Sequence, residues 1–211
     1  MRLRRYVMPL TVVLIAAGCS DQTGPSPIGA QPSFAEVVSL TGTHILRQSP
    51  TAPPLETYQV SFWARRDRAS TVTVNYLPRS GQPAGEPFLL FYIPKRGLKS
   101  GPDRPHLHGR DSILITLTIH PDSFVVDFQP SGVVFDKRHR ASLVLWYASA
   151  NPDLNGDGAV DATDEALREQ LAIWTRHGKQ APWHRLLSQT DPTLPFLFTE
   201  LRHFSQYAVS W

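Results

Sequence analysis

Tyr58-Gln59-Val60-Ser61-Phe62-Trp63, followed closely by Thr71-Val72-Thr73-Val74-Asn75-Tyr76, decides the fold class. Apolar and polar residues alternate in both runs, and an extended backbone points successive side chains to opposite faces. Each run therefore reads as a strand with one face towards a core. Working outward, similar short runs predict strands over residues 88–93, 112–119, 124–128, 143–147, 171–175, 196–201 and 207–211. The chain has 19 prolines, largely between these runs, where a missing backbone donor does no harm. Only residues 162–170 read as helical. Roughly nine strands at such spacing predict a mainly β protein. The expected fold is an antiparallel β-sandwich with one short helix after an inserted acidic loop.

One segment adds a family resemblance to this pattern. Val125-Val126-Asp127-Phe128-Gln129-Pro130-Ser131-Gly132-Val133-Val134-Phe135-Asp136-Lys137 leads into Ser142-Leu143-Val144-Leu145. Pro130 and Gly132 suit a tight turn, and Phe135 can return an anchor to the core. Residues 112–148 resemble the later strands of the β-sandwich domain shared by ankyrins and zonula occludens proteins. The resemblance implies a domain that makes protein contacts and carries out no chemistry.

The most specific chemistry lies in Asp153-Leu154-Asn155-Gly156-Asp157-Gly158-Ala159-Val160-Asp161-Ala162-Thr163-Asp164. A calcium loop of the EF-hand type takes oxygens from the first, third, fifth, seventh, ninth and twelfth residues, with glycine sixth. Here these are Asp153, Asn155, Asp157, the carbonyl of Ala159, Asp161 and Asp164, with Gly158 at the turn. Val160 occupies the apolar position that ties such a loop to the fold. Four aspartates with no Lys or Arg among them repel one another unless a cation joins them. Calcium, which takes six to eight oxygens, suits this set better than magnesium, which demands a tight octahedron. Asp164 stands where sensor EF-hands have Glu, and no helix precedes the loop. In both respects the segment resembles one dockerin-type half-site, with its exit helix over 162–170. The rival reading is an Asx-rich turn whose carboxylates cap backbone amides, with Asp161 as the N-cap of the helix.

The N-terminus carries a second family resemblance. Arg2, Arg4 and Arg5 precede an apolar run from Val7 to Ala17, too short for an ordinary transmembrane helix. Ile15-Ala16-Ala17-Gly18-Cys19 then resembles the lipobox of bacterial lipoproteins, which implies cleavage before Cys19 and lipid on its thiol. Cys19 is the only cysteine, and exported proteins otherwise use cysteines in pairs. Ser20 after the cysteine implies, by the same resemblance, the outer membrane of the cell envelope. The expected organisation is a signal peptide over 1–18, a Gly/Pro/Ser-rich tether over 19–33, and a β-sandwich over 34–211 with the loop insertion at 151–170.

Charge excludes one class of partner. The three leader arginines account for the whole formal charge of +3, so the remainder is neutral and offers no basic surface for nucleic acid. Lys95, Arg96, Lys99 and Arg104 form a local basic stretch that reads as a solvated loop. His106-Leu107-His108 has a metal-like spacing without a third ligand nearby. His203, Ser205 and Asp191 have the residue types of a triad, but Ser205 lacks a nucleophile elbow. Trp146, Trp174, Trp183 and Trp211 could form a sugar-stacking platform or a core. The functions in view are a calcium-binding, lipid-anchored envelope protein for structure or recognition, a carbohydrate-binding accessory module, and an envelope hydrolase. A cohesin partner would require two loops of this kind, and the chain has one. The identity of any protein or glycan ligand is left open by these residues.

Overall fold

The computed structural model describes residues 44–178, 180–191 and 193–211. The expected leader, Cys19 and the tether lie outside the described residues. In chain order the strands are β1 (Gln59–Arg65), β2 (Ser70–Asn75), β3 (Pro87–Ile93), β4 (Leu98–Ser100), β5 (Ser112–Ile119), β6 (Val125–Gln129), β7 (Val134–Phe135) and β8 (Ala141–Trp146). The helix α1 (Ala162–Arg168) follows, then β9 (Ala172–Arg176), β10 (His184–Arg185), β11 (Gln189–Thr190), β12 (Phe196–Leu201) and β13 (Gln206–Ser210). The protein is mainly β, with antiparallel sheets and a single short helix.

Two sheets hold nearly all of the strands. One has the order β1-β5-β6-β13-β9-β10, the other β11-β12-β8-β3-β2, and β4-β7 make a small ribbon. Alternation sets which face of each strand is buried. In β1 and β5, Phe62 pairs with Ile115 on the inner face and Trp63 with Leu114 on the outer one. A slip of one residue would reverse both faces, so the buried row fixes the register. The inner faces meet through aromatic rings. Phe91 of β3 lies 4.7 Å from Phe128 of β6 and 6.5 Å from Phe62 of β1, while Phe88 of β3 lies 5.3 Å from Phe124. Each such ring, once buried, stabilises the fold by about 1.5–3 kcal/mol.

The outer face of the six-stranded sheet is apolar at one end. Val125, Ala172, Trp174, Trp183 and Ala208 form a second buried cluster there. The chain after β9 folds back to bring Trp183 over this face, and the Arg176 guanidinium lies 4.6 Å from its ring centre. Trp174 donates its indole N–H to the Ser210 carbonyl at 3.1 Å. That bond satisfies the one polar atom of a buried tryptophan. The Pro-x-Gly turn forms between β6 and β7, with Gly132 at φ +87° and Phe135 buried behind it.

Two local expectations are corrected, and two brief strands join those the alternation predicted. The basic stretch after Lys95 is not wholly a solvated loop, because it contains β4, whose Leu98 is buried and whose carbonyl accepts from the Arg66 guanidinium. The helix ends at Arg168, short of residue 170, because Leu171 is drawn into the core. β10 and β11 are two-residue edge pairings, too brief to leave an alternating pattern. Among the described residues no helix is long and apolar enough to cross a membrane.

Candidate metal centre and the adjoining cleft

The acidic segment lies between β8 and β9 and closes on itself through its own carboxylates. Asp153 accepts the Gly156 amide at 2.7 Å on one oxygen and the Gly158 amide at 3.0 Å on the other. Asn155 Oδ1 accepts the Asp157 amide at 2.9 Å, and Asp157 Oδ1 accepts the Ala159 amide at 2.8 Å. Asn155 also donates its side-chain amide to Asp157 Oδ2 at 2.8 Å. These bonds turn the chain sharply, with Gly156 at φ +76° and Gly158 at φ +88°. An L side chain at either position would be strained.

Asp164 joins the two ends of the loop. Its Oδ1 accepts the Leu154 amide at 2.7 Å and the Asn155 amide at 3.2 Å, and its Oδ2 accepts the Asp161 amide at 3.0 Å. Asp161 in turn accepts the Thr163 amide at 2.7 Å, so the pair forms a capping box at the start of α1. The Asp164 side chain is fully enclosed. The Asp161 amide holds its carboxyl below the usual carboxylate range; burial opposes this, and the Asn155 and Leu154 amides and the Arg168 charge reinforce it. Asp164 is therefore a carboxylate.

All six positions read from the sequence lie in this one loop, and Asp161 also caps the helix. Among the described residues, however, no three His, Cys, Asp or Glu side chains gather as a metal cluster. The side-chain oxygens face the loop amides instead. One expectation is overturned: Val160 is 61% exposed and does not tie the loop to the fold. Leu154 does so, packing against the main core. The capping box starts the helix at Ala162 and leaves Val160 on the solvent side of the turn.

The remaining sequence candidates are distributed elsewhere. His106 and His108 are exposed in the loop before β5, with ring centres 6.3 Å apart. Ser205 donates its hydroxyl to the Arg176 carbonyl rather than to a histidine. His203 stacks obliquely on His177 at 4.2 Å, and its Nδ1 is buried with no hydrogen-bond partner among the described residues. Asp191 accepts the Thr193 and Leu194 amides in a turn. Trp174 and Trp183 are buried, Trp146 and Trp211 half-buried, and Trp63 stands alone as the strongly exposed tryptophan among the described residues. They form no exposed row.

A cleft of about 540 Å³ adjoins the loop and shares Leu154 and α1 with it. Tyr147, Asn151, Glu165, Arg168, Glu169 and Asp191 supply its polar wall. These residues come from separate segments, so no spacing in the sequence announces the cleft. Comparison with known proteins finds no matching family model, no matching curated protein and no matching solved structure.

Proposed function

We propose that this protein is a lipid-anchored component of the bacterial cell envelope whose β-sandwich carries a calcium-binding loop and serves in structure or recognition. The observation that carries the calcium reading is the closure of the loop by Asp164. It accepts the Leu154, Asn155 and Asp161 amides and so joins the two ends of the segment that carries Asp153, Asn155, Asp157, the Ala159 carbonyl and Asp161. Each carboxylate oxygen has two lone pairs, so an oxygen that accepts one amide keeps a second pair for a cation. Calcium would be held by these oxygens and would offset the mutual repulsion of four carboxylates. The anchor reading is supported by the lipobox-like Ile15-Ala16-Ala17-Gly18-Cys19 and by the solitary cysteine. In this reading the chain projects a rigid sandwich from an outer membrane, with no chemical reaction of its own.

The test is calcium linkage. A ligand that binds the folded loop and not the unfolded chain stabilises by about 2.7 kcal/mol at a hundredfold excess over its dissociation constant. For a domain of this size that is a midpoint shift of roughly 5–10 °C. Chelator should lower the melting midpoint and excess calcium should restore it. Asp153→Ala or Asp157→Ala should abolish the response. Titration calorimetry showing no calcium uptake at millimolar concentration, with the same melting curve in chelator, would remove the metal from the proposal.

A further inference from the structure

We infer that the cleft beside α1 binds a ligand carrying an ammonium group on an apolar stem, the chemistry of a lysine side chain. This extends the recognition role proposed above by naming a ligand class, and it stands on the cleft rather than on the calcium loop. The volume of about 540 Å³ is that of a small-ligand site. Leu46 and Leu171, both buried members of the core, give it an apolar floor.

Charge selects the ligand. Three carboxylates and one guanidinium line the cleft. Arg168 is bound to Glu165 at 2.9 Å, which leaves Glu169 and Asp191 unmatched by any cation of the lining. Asp191 accepts all of its bonds on Oδ1, from the Thr193 hydroxyl and amide and from the Leu194 amide. Its Oδ2 accepts none among the described residues. The Thr193 hydroxyl leads the influences that hold its carboxyl below the usual range, so this oxygen carries charge at any neutral pH. Tyr147 adds an aromatic ring, and burial pushes its phenol up, so the hydroxyl stays neutral. An aromatic ring attracts a cation through its face. An anionic ligand would meet two uncompensated charges. An apolar one would leave the half-buried Asp191 further desolvated and unpaired, while Glu169 at the exposed rim would gain nothing from it.

The experiment uses the full chain in a neutral detergent and two soluble probes, Nα-acetyl-lysine methylamide and Nα-acetyl-norleucine methylamide, which replaces the ammonium by a methyl group. Ligand-observed NMR titration should show saturable binding of the lysine probe and binding of the norleucine probe weaker by about fivefold or more. Glu169→Gln and Asp191→Asn should each weaken the lysine probe roughly two- to fivefold, and added salt should weaken it further. Asn at 191 keeps an Oδ1 acceptor for the turn, and equal melting midpoints would verify that each variant is folded. Equal binding of the two probes, unchanged binding in the double variant, or no saturation by the lysine probe would overturn the inference. Repeating the titration in chelator separates the two readings. A silent cleft with measurable calcium uptake removes this inference alone, and cleft binding without calcium uptake removes the metal alone.

Discussion

Replacing Phe91 by Ala tests whether the two sheets face each other as described. Phe91 sits in the middle of β3 with no solvent exposure. Its ring lies 4.7 Å from Phe128, 6.0 Å from Phe204, and 6.5 Å from both Phe62 and Phe135. Those partners come from β1, β6, β7 and the entry to β13, so the ring joins the two sheets across the core. Truncating a buried phenylalanine costs about 3–5 kcal/mol through lost transfer energy and an unfilled cavity. Four ring partners place the cost towards the upper end, at about 4–5 kcal/mol, since each aromatic pair contributes beyond its area. In thermal melts this is a fall of roughly 8–20 °C. Phe91→Leu keeps most of the volume and should fall between the variant and the parent. Trp63→Ala is the matched control: a larger side chain, but 61% exposed on the edge strand β1. Its cost should stay under about 1 kcal/mol. Melting followed by near-ultraviolet circular dichroism reads all three. A Phe91→Ala midpoint no lower than that of Trp63→Ala would mean that Phe91 does not bridge two layers, and the sandwich described here would fail with it.

Two further outcomes follow from single residues. Cys19→Ser should leave an unprocessed precursor and abolish labelling by a clickable palmitate analogue, and persistent labelling would contradict lipidation at that residue. Burial, and then the neighbouring His177, hold the His203 imidazole below its ordinary value of 6.5, so the unfolded chain binds a proton at a higher pH than the folded one. Its contribution to stability is intact above that ordinary value and is lost as the pH falls from there through the lowered native one. Melting midpoints between about pH 8 and pH 5 should therefore decline less steeply in His203→Gln, and an unchanged slope would refute the assignment.

What the sequence disclosed depended on how local each signal was. The β5 and β12 runs could be bounded from the alternation alone, because their inward residues are apolar except for Thr199, and Asp111, Pro121 and Pro195 stand beside three of their four ends. The loop register was legible for the same reason, since six oxygen positions fall within one short segment. β4 escaped because Leu98 is a lone apolar residue beside Lys99, in a three-residue strand whose partner, β7, lies far along the chain. Trp174 and Trp183 could not be told from a surface platform by strand period, because the cover over them is built by a segment that returns after β9. The alternation shows which residues share a face and leaves open what lies on top of it. The cleft is the extreme case. Tyr147 follows β8, Glu169 caps α1 and Asp191 follows β11, and no residue in between signals that they meet. They meet because β12 pairs with β8 on one side and with β11 on the other, which brings the ends of β8 and β11 to the same edge where the acidic loop turns into α1. A charge set assembled in this way has no sequence period, and its two unmatched carboxylates become visible only once Arg168 is seen to be bound to Glu165. The loop is a local arrangement that a calcium titration can interrogate residue by residue, whereas the cleft exists only if the whole sheet order is right. Selective binding of the lysine probe, lost on changing Glu169 and Asp191 together, would therefore also test the topology that joins β8, β11 and β12.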